Sequence, residues 1–367
     1  MEMKLNPGEM ITLALDWFIL TDGSAWEVPA KVGRIASPDK VKVFIDHETP
    51  CGSEKVAAQQ KALINFAKEN ALELSNGYGV SYQIMLDKHV KSGNVILCCG
   101  DYGSMYGCAG ALALKVTPDE MAKAVETGEY TWQVPSFAAV ALTGSLKAPA
   151  TGKDAALTLL ASDHGFAGKI LCVNGAEALP EADRLSFFQL LSASGCSAAL
   201  CTAEKTEEAV ALDLGTVVSR VSDAENLCYS VPANEASEIA VTSVFIGGCS
   251  AGRIEDIREA ARVLQGRHVS RKVRLTVAFA TTDVYIQAAN EGLISSLMDG
   301  GAIVMNQGCS ACYARSQGLA DGKDTVLSAG SRVIPNCNGE GNVKTYLCSA
   351  ATAMESAING TICPAKA

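Results

Sequence analysis

Short apolar runs rich in valine and isoleucine alternate along the chain with longer segments whose apolar residues recur every three or four positions. A short run bounded by turn residues is typical of a buried strand, and the longer period is typical of an amphipathic helix. The run "VKVFID" (41–46) leads into the helical pattern "SEKVAAQQKALINFAKENA" (53–71), for which Ser53 is a suitable N-cap. This alternation predicts parallel α/β units.

The same order of strand, turn and helix recurs further along the chain. "IAVTSVFIG" (239–247) runs through a glycine-containing turn into the helical pattern "RIEDIREAARVLQG" (253–266). "NVILCC" (94–99) is followed by a glycine-rich loop and then by "ALALKV" (111–116), which we predict to be helical. Polar residues gather just after the strands, at the sheet edge where open α/β sheets bind their ligands.

The middle of the chain, which ends in a polar and acidic stretch, reads as a separate unit. We place its boundaries near residues 140 and 238. The sequence therefore predicts three domains, covering residues 1–139, 140–238 and 239–367.

Composition and charge exclude several classes of protein. An apolar content of 48% favours a folded chain, and a net charge of −10 without a lysine or arginine cluster speaks against nucleic-acid binding. The first apolar run is interrupted by Asp16 and lacks a cleavage site for an export signal, and no apolar stretch has the length of a membrane span. We expect a cytoplasmic protein with no membrane or nucleic-acid partner.

Cysteine is abundant, with 14 residues against only 4 histidines. In a large chain without an export signal most of these are expected to be small buried residues, such as Cys172 and Cys348. Any metal site would have to rely mainly on thiolates. The stretch "MNQGCSACYARSQG" places Cys309 and Cys312 three positions apart after a predicted strand.

A C-x-x-C pair has three readings: half of a zinc site, a redox pair, or part of an iron–sulfur ligand set. A structural zinc site needs a second pair at short spacing, which the chain lacks, and a thioredoxin-like pair belongs in a small domain. An iron–sulfur site needs one more thiolate from another loop. Cys249 offers it, in a glycine-rich turn at the start of a predicted helix, where the helix dipole favours negative charge.

Several segments carry a resemblance to a known family. "VFIGGCSAGRIEDIR" and, sixty positions further on, "GCSACYAR" resemble the cluster-binding loops of the aconitase and isopropylmalate isomerase superfamily, and most strongly its large isopropylmalate isomerase subunit. "FIDHETP", "MYGCAGALAL" and "SAATAMESAINGTI" extend the likeness over almost the whole chain. The resemblance implies three-layer, doubly wound α/β domains and a [4Fe–4S] cluster bound by Cys249, Cys309 and Cys312.

Three thiolates leave one of four irons without a protein ligand, so that this iron can act as a Lewis acid on a substrate hydroxyl. The resemblance implies a hydro-lyase that dehydrates or hydrates a small 2-hydroxy acid resembling malate or isopropylmalate. It assigns His47 as the acid that protonates the leaving hydroxyl, Asp46 as the residue that orients it, and Asp101 as a further catalytic residue. Ser24 and Arg332 are the candidate substrate-binding residues, although a capped turn also accounts for Ser24 and its neighbour Asp22.

The chain departs from the family pattern at several polar positions. Tyr82 stands where the family has a second active-site histidine, Gln189 and Ala193 replace an asparagine and a glutamate, and a second arginine near Arg332 is absent. Two accounts fit. The site has been rebuilt for a less charged substrate, since each lost arginine removes a carboxylate partner. Alternatively, the protein is a non-catalytic iron–sulfur protein that senses iron or oxygen.

The resemblance also implies a fourth domain, which we do not find among the three predicted domains. The family closes its site with a mobile fourth domain that carries a serine base, and in isopropylmalate isomerase this domain is a separate small subunit. The sequence ends shortly after the third predicted domain, so we expect a small-subunit partner to supply the base. The other possibility is that Tyr82, Tyr102 or another residue of this chain takes that role.

Overall fold

The computed structural model describes residues 6–100, 103–203, 208–313, 316–331, 338–339 and 342–366. These residues form an α/β architecture with three mainly parallel sheets and one two-stranded antiparallel ribbon. The parallel arrangement predicted from the sequence is confirmed. None of the helices in the described ranges has the length and apolar character that a membrane span requires.

The first part of the chain builds a five-stranded parallel sheet and a short ribbon. Its elements are β1 Met10–Ala14, β2 Trp17–Thr21, β3 Val41–Ile45, α1 Glu54–Glu69, β4 Glu73–Asn76, α2 Ser81–Lys88, β5 Val95–Cys98, β6 Leu112–Lys115, α3 Pro118–Thr127 and β7 Glu129–Gln133. The sheet has the order β4–β3–β2–β5–β6, and β1 pairs with β7. The order reverses between β2 and β5, so the carboxyl ends of these two strands border the crevice where such sheets bind ligands, and β3 lies next to β2.

Two predictions in this part have opposite outcomes. The strand at 41–46 and the helix after it are confirmed, and the Ser53 hydroxyl accepts a hydrogen bond from the Val56 amide at 3.3 Å. The helix predicted for "ALALKV" is wrong, because Leu112–Lys115 form strand β6 beside β5. Three of the four residues of β6 are buried, as is typical of a parallel strand that is covered on both faces.

The second part forms a four-stranded parallel sheet in the order β10–β9–β8–β11. Its elements are β8 Phe137–Thr143, α4 Gly152–Leu159, β9 Ile170–Asn174, α5 Glu181–Leu191, β10 Ala198–Cys201 and β11 Val210–Asp213. Helix α4 begins with a capping box, in which the Thr151 hydroxyl and the Asp154 carboxylate bind each other's backbone amides.

The last part of the chain forms a seven-stranded sheet in the order β13–β12–β18–β17–β14–β15–β16. Its elements are β12 Arg220–Asp223, β13 Ser230–Pro232, β14 Ser243–Ile246, α6 Gly248–Ala251, α7 Ile254–Leu264, β15 Arg274–Val277, α8 Thr282–Asn290, α9 Leu293–Asp299, β16 Ile303–Val304, β17 Thr325–Ser328, β18 Lys344–Leu347 and α10 Ala350–Asn359. Strands β12 and β13 come from the segment assigned to the second domain. The domain boundaries near 140 and 238 stay a prediction.

Main-chain hydrogen bonds join the first sheet region to the third. The Val80 amide donates to the Ala280 carbonyl at 2.7 Å, and the Thr282 amide donates to the Tyr78 carbonyl at 2.8 Å. These bonds join the loop after β4 to the loop after β15.

Candidate active site

Asp46 and His47 follow directly after β3, at the carboxyl edge of the first sheet. The Asp46 carboxylate is buried and accepts hydrogen bonds from the His47 Nδ1 and from the Ser81 amide, each at 2.6 Å. Because Nδ1 is engaged by Asp46, Nε2 is the ring nitrogen through which His47 can exchange a proton with a ligand.

A second carboxylate, Asp22, supports the same histidine from the loop after β2. It accepts hydrogen bonds from the amides of Asp46 and His47, each at 3.0 Å, from the Glu48 amide at 3.3 Å and from the Gln60 side chain at 2.9 Å. Burial opposes its charge, but hydrogen bonding with His47, the charge of His47 and these backbone donors hold the pKa of Asp22 well below its usual range. Asp22 is therefore a fixed negative charge.

The two carboxylates decide the charge of His47. Burial disfavours the charged ring, but the charge of Asp46 and the hydrogen bonds with Asp22 and Asp46 outweigh it and raise the pKa of His47 to about 10. The possible ligand atoms of the three residues lie within 4.8 Å of one another. Hydrogen-bond donors already occupy the carboxylates. The arrangement suits a proton donor whose charged form is stabilised by two carboxylates.

The His47 ring is fixed from two sides. A Cβ atom on Gly23 would lie only 2.5 Å from the ring's Cδ2, so the ring packs directly on the glycine backbone. On another side, the Tyr313 ring meets it edge-on at 4.9 Å between centroids, and the Tyr313 hydroxyl donates to the Gly23 carbonyl at 3.1 Å. Tyr313 immediately follows Cys312, so the histidine is positioned by the cysteine-bearing loop as well as by its own sheet.

The three predicted cysteines are buried at the same edge. Cys249 lies in the short helix α6 after β14, and Cys309 and Cys312 lie in a 3-10 turn after β16. Gly248 packs on that turn, where an added Cβ would lie 3.8 Å from the Cys312 Sγ. The Cys309 amide donates to the Asp46 carbonyl at 3.1 Å. Two loops of the third sheet and the Asp46–His47 pair thus converge.

Side chains from two other helices hold Cys249. The Gln83 amide group donates to the Cys249 carbonyl at 2.7 Å, and the Gln189 amide group donates to its Sγ. A hydrogen bond to sulfur favours the thiolate form and tunes a thiolate that binds metal.

Several buried polar atoms in this region have no hydrogen-bond partner within the described ranges: Ser81 Oγ, Tyr106 Oη and Gln189 Oε1. Burial, together with nearby groups that include Asp46 and Cys249, raises the pKa of Tyr106 well above its usual value. Buried polar atoms normally have partners, so these atoms indicate room for a bound group or ordered water. Buried thiols beside such atoms suit an iron–sulfur centre.

Sequence comparison assigns these features to a family. The family described as "Aconitase family (aconitate hydratase)" matches residues 27–209 and 194–360, which include Asp46, His47 and all three cysteines. The chain belongs to the aconitase family. Its activity is that of a hydro-lyase. The family resemblance inferred from the sequence is confirmed.

Named relatives match nearly the full length of this aconitase-family chain. The 3-isopropylmalate dehydratase large subunit 2 of Archaeoglobus fulgidus is 29% identical, over 97% of this chain and 94% of that protein. The homoaconitase large subunit of Thermus thermophilus is 28% identical, over 97% and 92% respectively. The 3-isopropylmalate dehydratase large subunit 1 of Methanopyrus kandleri is 30% identical, over 90% and 87%. At these identities the chain is a divergent member.

The fold agrees with a solved structure. The holo-form of aconitase X from Thermococcus kodakaraensis superposes with a TM-score of 0.57, covering 90% of this chain and 88% of that one, at 9% identity. This likeness supports the predicted aconitase-type fold class.

The structure brings some of the predicted site residues together and leaves others undecided. His47, Asp46 and the three cysteines meet at one edge. The Ser24 hydroxyl lies 3.2 Å from the Thr21 hydroxyl, within the turn after β2. Asp101 and Arg332 lie outside the described residues.

Sequence reasoning undervalued Asp22, which it explained as part of a capped turn. The signal that could have found it was the strand order, since Asp22 and Asp46 each follow one of two strands that pair side by side. It also missed Tyr313 and Gln60, whose contacts with His47 and Asp22 depend on how the loops pack.

Proposed function

We propose that this chain is the cluster-carrying, catalytic subunit of a [4Fe–4S]-dependent hydro-lyase acting on a small 2-hydroxy acid or its unsaturated counterpart. The observation that carries the proposal is the convergence of three buried cysteines with the Asp46–His47 pair. Cys249, Cys309 and Cys312 would hold the cluster. When bound, the cluster supplies a Lewis acid that polarises the substrate hydroxyl and eases its departure.

The chain's own residues supply the acid. His47 is protonated at neutral pH, because its pKa is raised to about 10. Asp46 holds Nδ1 at 2.6 Å, and the proton on Nε2 is the one to be transferred to the leaving hydroxyl. Asp22 balances the ring's positive charge, while Gly23 and Tyr313 fix the ring plane. We assign Asp101 a further catalytic role.

The substrate is proposed to be malate-like or isopropylmalate-like, in keeping with relatives named for isopropylmalate dehydratase and homoaconitase. Around the thiols, the buried residues Tyr82, Tyr106 and Gln189 are uncharged. Uncharged hydrogen-bonding groups bind a carboxylate less strongly than arginine does. These three side chains therefore favour a substrate with few carboxylates. Arg332 and Ser24 are the proposed substrate contacts.

A small-subunit partner is proposed to complete the site. The relatives are named as large subunits. Dehydration also needs a base that removes the carbon proton, and we propose that a residue of the partner does so.

The test is anaerobic reconstitution with iron and sulfide, followed by a screen of malate derivatives and their unsaturated acids with a co-expressed small subunit. Appearance or loss of the conjugated acid's ultraviolet absorbance reports turnover. Turnover by the reconstituted pair, absent before reconstitution, supports the proposal. An intact cluster with no turnover on any acid would instead indicate an iron or oxygen sensor, and failure to bind iron and sulfide would overturn the cofactor assignment.

A further inference from the structure

Lys153, in the first turn of α4, is a buried lysine that contacts the cysteine-bearing turns from behind. Only 3% of it is exposed. Its ammonium group donates to the Ser250 hydroxyl and the Gly330 carbonyl, each at 3.0 Å, and to the Ala329 carbonyl. All three acceptors are neutral.

No carboxylate in the described part of the chain forms an ion pair with this ammonium group. Two acidic groups interact electrostatically with it: Asp154, which is buried, and Asp256, which is partly buried. Burial raises the pKa of Asp154 to about 6 and that of Asp256 to about 7, so Asp256 in particular is only partly ionised at neutral pH. A buried charge without a full counter-charge is costly.

Lys42 provides a comparison within the same molecule. It is also buried, but its ammonium group forms an ion pair with the Glu73 carboxylate at 2.7 Å. Among the described residues, Lys42 is thus a buried lysine with a carboxylate partner, and Lys153 is one without such an ion pair.

The acceptors of Lys153 lie next to the cysteines. Ser250 follows Cys249 in the sequence, and its hydroxyl also donates to the Ala329 carbonyl at 3.2 Å. Gly330 packs on Cys312, where an added Cβ would lie 3.0 Å from the sulfur. The ammonium group therefore connects the turn that carries Cys249 with the turn that lies against Cys312.

We propose that Lys153 is a positioning residue for the thiolate-bound centre: its ammonium group balances the negative charge of the thiolates and fixes the Cys249 turn against the turn beside Cys312. This inference rests on the proposed cluster. It explains why a lysine is buried among neutral acceptors, because its counter-charge arrives with the metal centre.

The test compares Lys153→Met and Lys153→Arg with the control Lys42→Met, each with and without the reconstituted cluster. Without the cluster, Lys153→Met should unfold at the same temperature as the wild type or higher, since an uncompensated charge is removed. With the cluster, it should gain less thermal stability than the wild type and lose iron to a chelator roughly tenfold faster, the size of effect seen for residues that support metal ligands. Its cluster midpoint potential should shift to more negative values.

The variants distinguish the effect of the Lys153 charge on the cluster from the effect of losing a packed side chain. Lys153→Arg keeps the charge and should retain most of the wild-type potential. Lys42→Met should lower stability equally with and without the cluster and leave the potential unchanged. Equal destabilisation of both forms by Lys153→Met, or failure of Lys153→Met to fold at all, or an unchanged potential, would overturn the proposal. A wild-type chain that binds no iron and sulfide would overturn the proposed function instead.

Discussion

His47 faces two carboxylates that come from different strands, and this pairing sets its protonation state. One carboxylate alone, partly exposed, would shift its pKa modestly. Asp46 at 2.6 Å and Asp22 at 3.5 Å from Nδ1, both buried, keep the ring charged far above neutral pH. A group that remains protonated is suited to donate a proton rather than to accept one.

Replacing His47 by alanine should therefore lower turnover by roughly a hundredfold or more, the usual contribution of a general acid, and leave the cluster's visible spectrum intact. His89→Ala is the control, because His89 pairs with Glu73 at the surface of the first sheet. The measurement is steady-state kinetics of the cluster-loaded chain together with its small subunit. Kinetics equal to those of the wild type would remove His47 from the mechanism.

Gly23→Ala should also impair turnover, although no functional group is lost. The new methyl group would lie 2.5 Å from the His47 ring, closer than carbon atoms approach, so the ring must shift from its present position. Gly33→Ala is the matched control, since its methyl group would meet only the flexible end of Glu126, at 3.3 Å. Similar turnover in the two variants would show that the ring is not seated on Gly23.

The charge of His47 also makes stability depend on pH. Its pKa is raised from 6.5 to about 10 in the folded chain, so its contribution is fully present below pH 6.5 and lost as the pH rises towards 10. We expect the difference in unfolding free energy between wild type and His47→Gln, both without cluster, to shrink over this window. Denaturant unfolding at several pH values measures it, and a difference that is constant with pH would contradict the assignment.

At the scale of elements, apolar runs and caps predicted most of what forms. Ser53 caps α1 as expected, and the run at 41–46 gives β3. The prediction of a helix for "ALALKV" is wrong because a short run buried on both faces has no alternating pattern that distinguishes a strand from a helix. Strand pairing with β5 decides its conformation, and no local sequence signal carries that pairing.

The candidate site, too, could be predicted from the sequence only in part. Asp46, His47 and the cysteines follow directly after strands, so their shared edge could be predicted from the order of elements. The supporting contacts could not. Lys153 and Ser250 are 97 positions apart, and Gln189 and Cys249 are 60 apart, so only the packing of separate sheets brings them together.

Each of Cys249→Ser, Cys309→Ser and Cys312→Ser should abolish the brown absorbance of the reconstituted protein and its activity, because a serine oxygen is a poor ligand for this centre. Cys228→Ser is the control, since Cys228 is exposed. Visible absorbance with iron and sulfide analysis provides the measurement. A full cluster in all three variants would show that the ligand assignment is wrong.

For the whole molecule, we predict that the purified chain alone is inactive and gains activity on addition of a small subunit. The reason is chemical: His47 remains protonated at neutral pH, and dehydration also needs a base. Turnover of the reconstituted chain should be measured with and without the partner. Robust turnover by the chain alone would mean that one of its own residues, such as Tyr82 or Tyr102, is the base.

The main-chain bonds between the first and third sheet regions have a consequence for folding. The Tyr78 carbonyl and Thr282 are 204 positions apart, and contacts between distant positions form late because a long loop must close first. The main apolar clusters of the first and third regions consist largely of each region's own residues, so most of each cluster can form before this contact exists. The hydrogen bond from the Cys309 amide to Asp46 can form only after the two regions dock. In a pulse-labelling experiment that amide should be among the last to become protected from exchange, after the amides within β3 and β14.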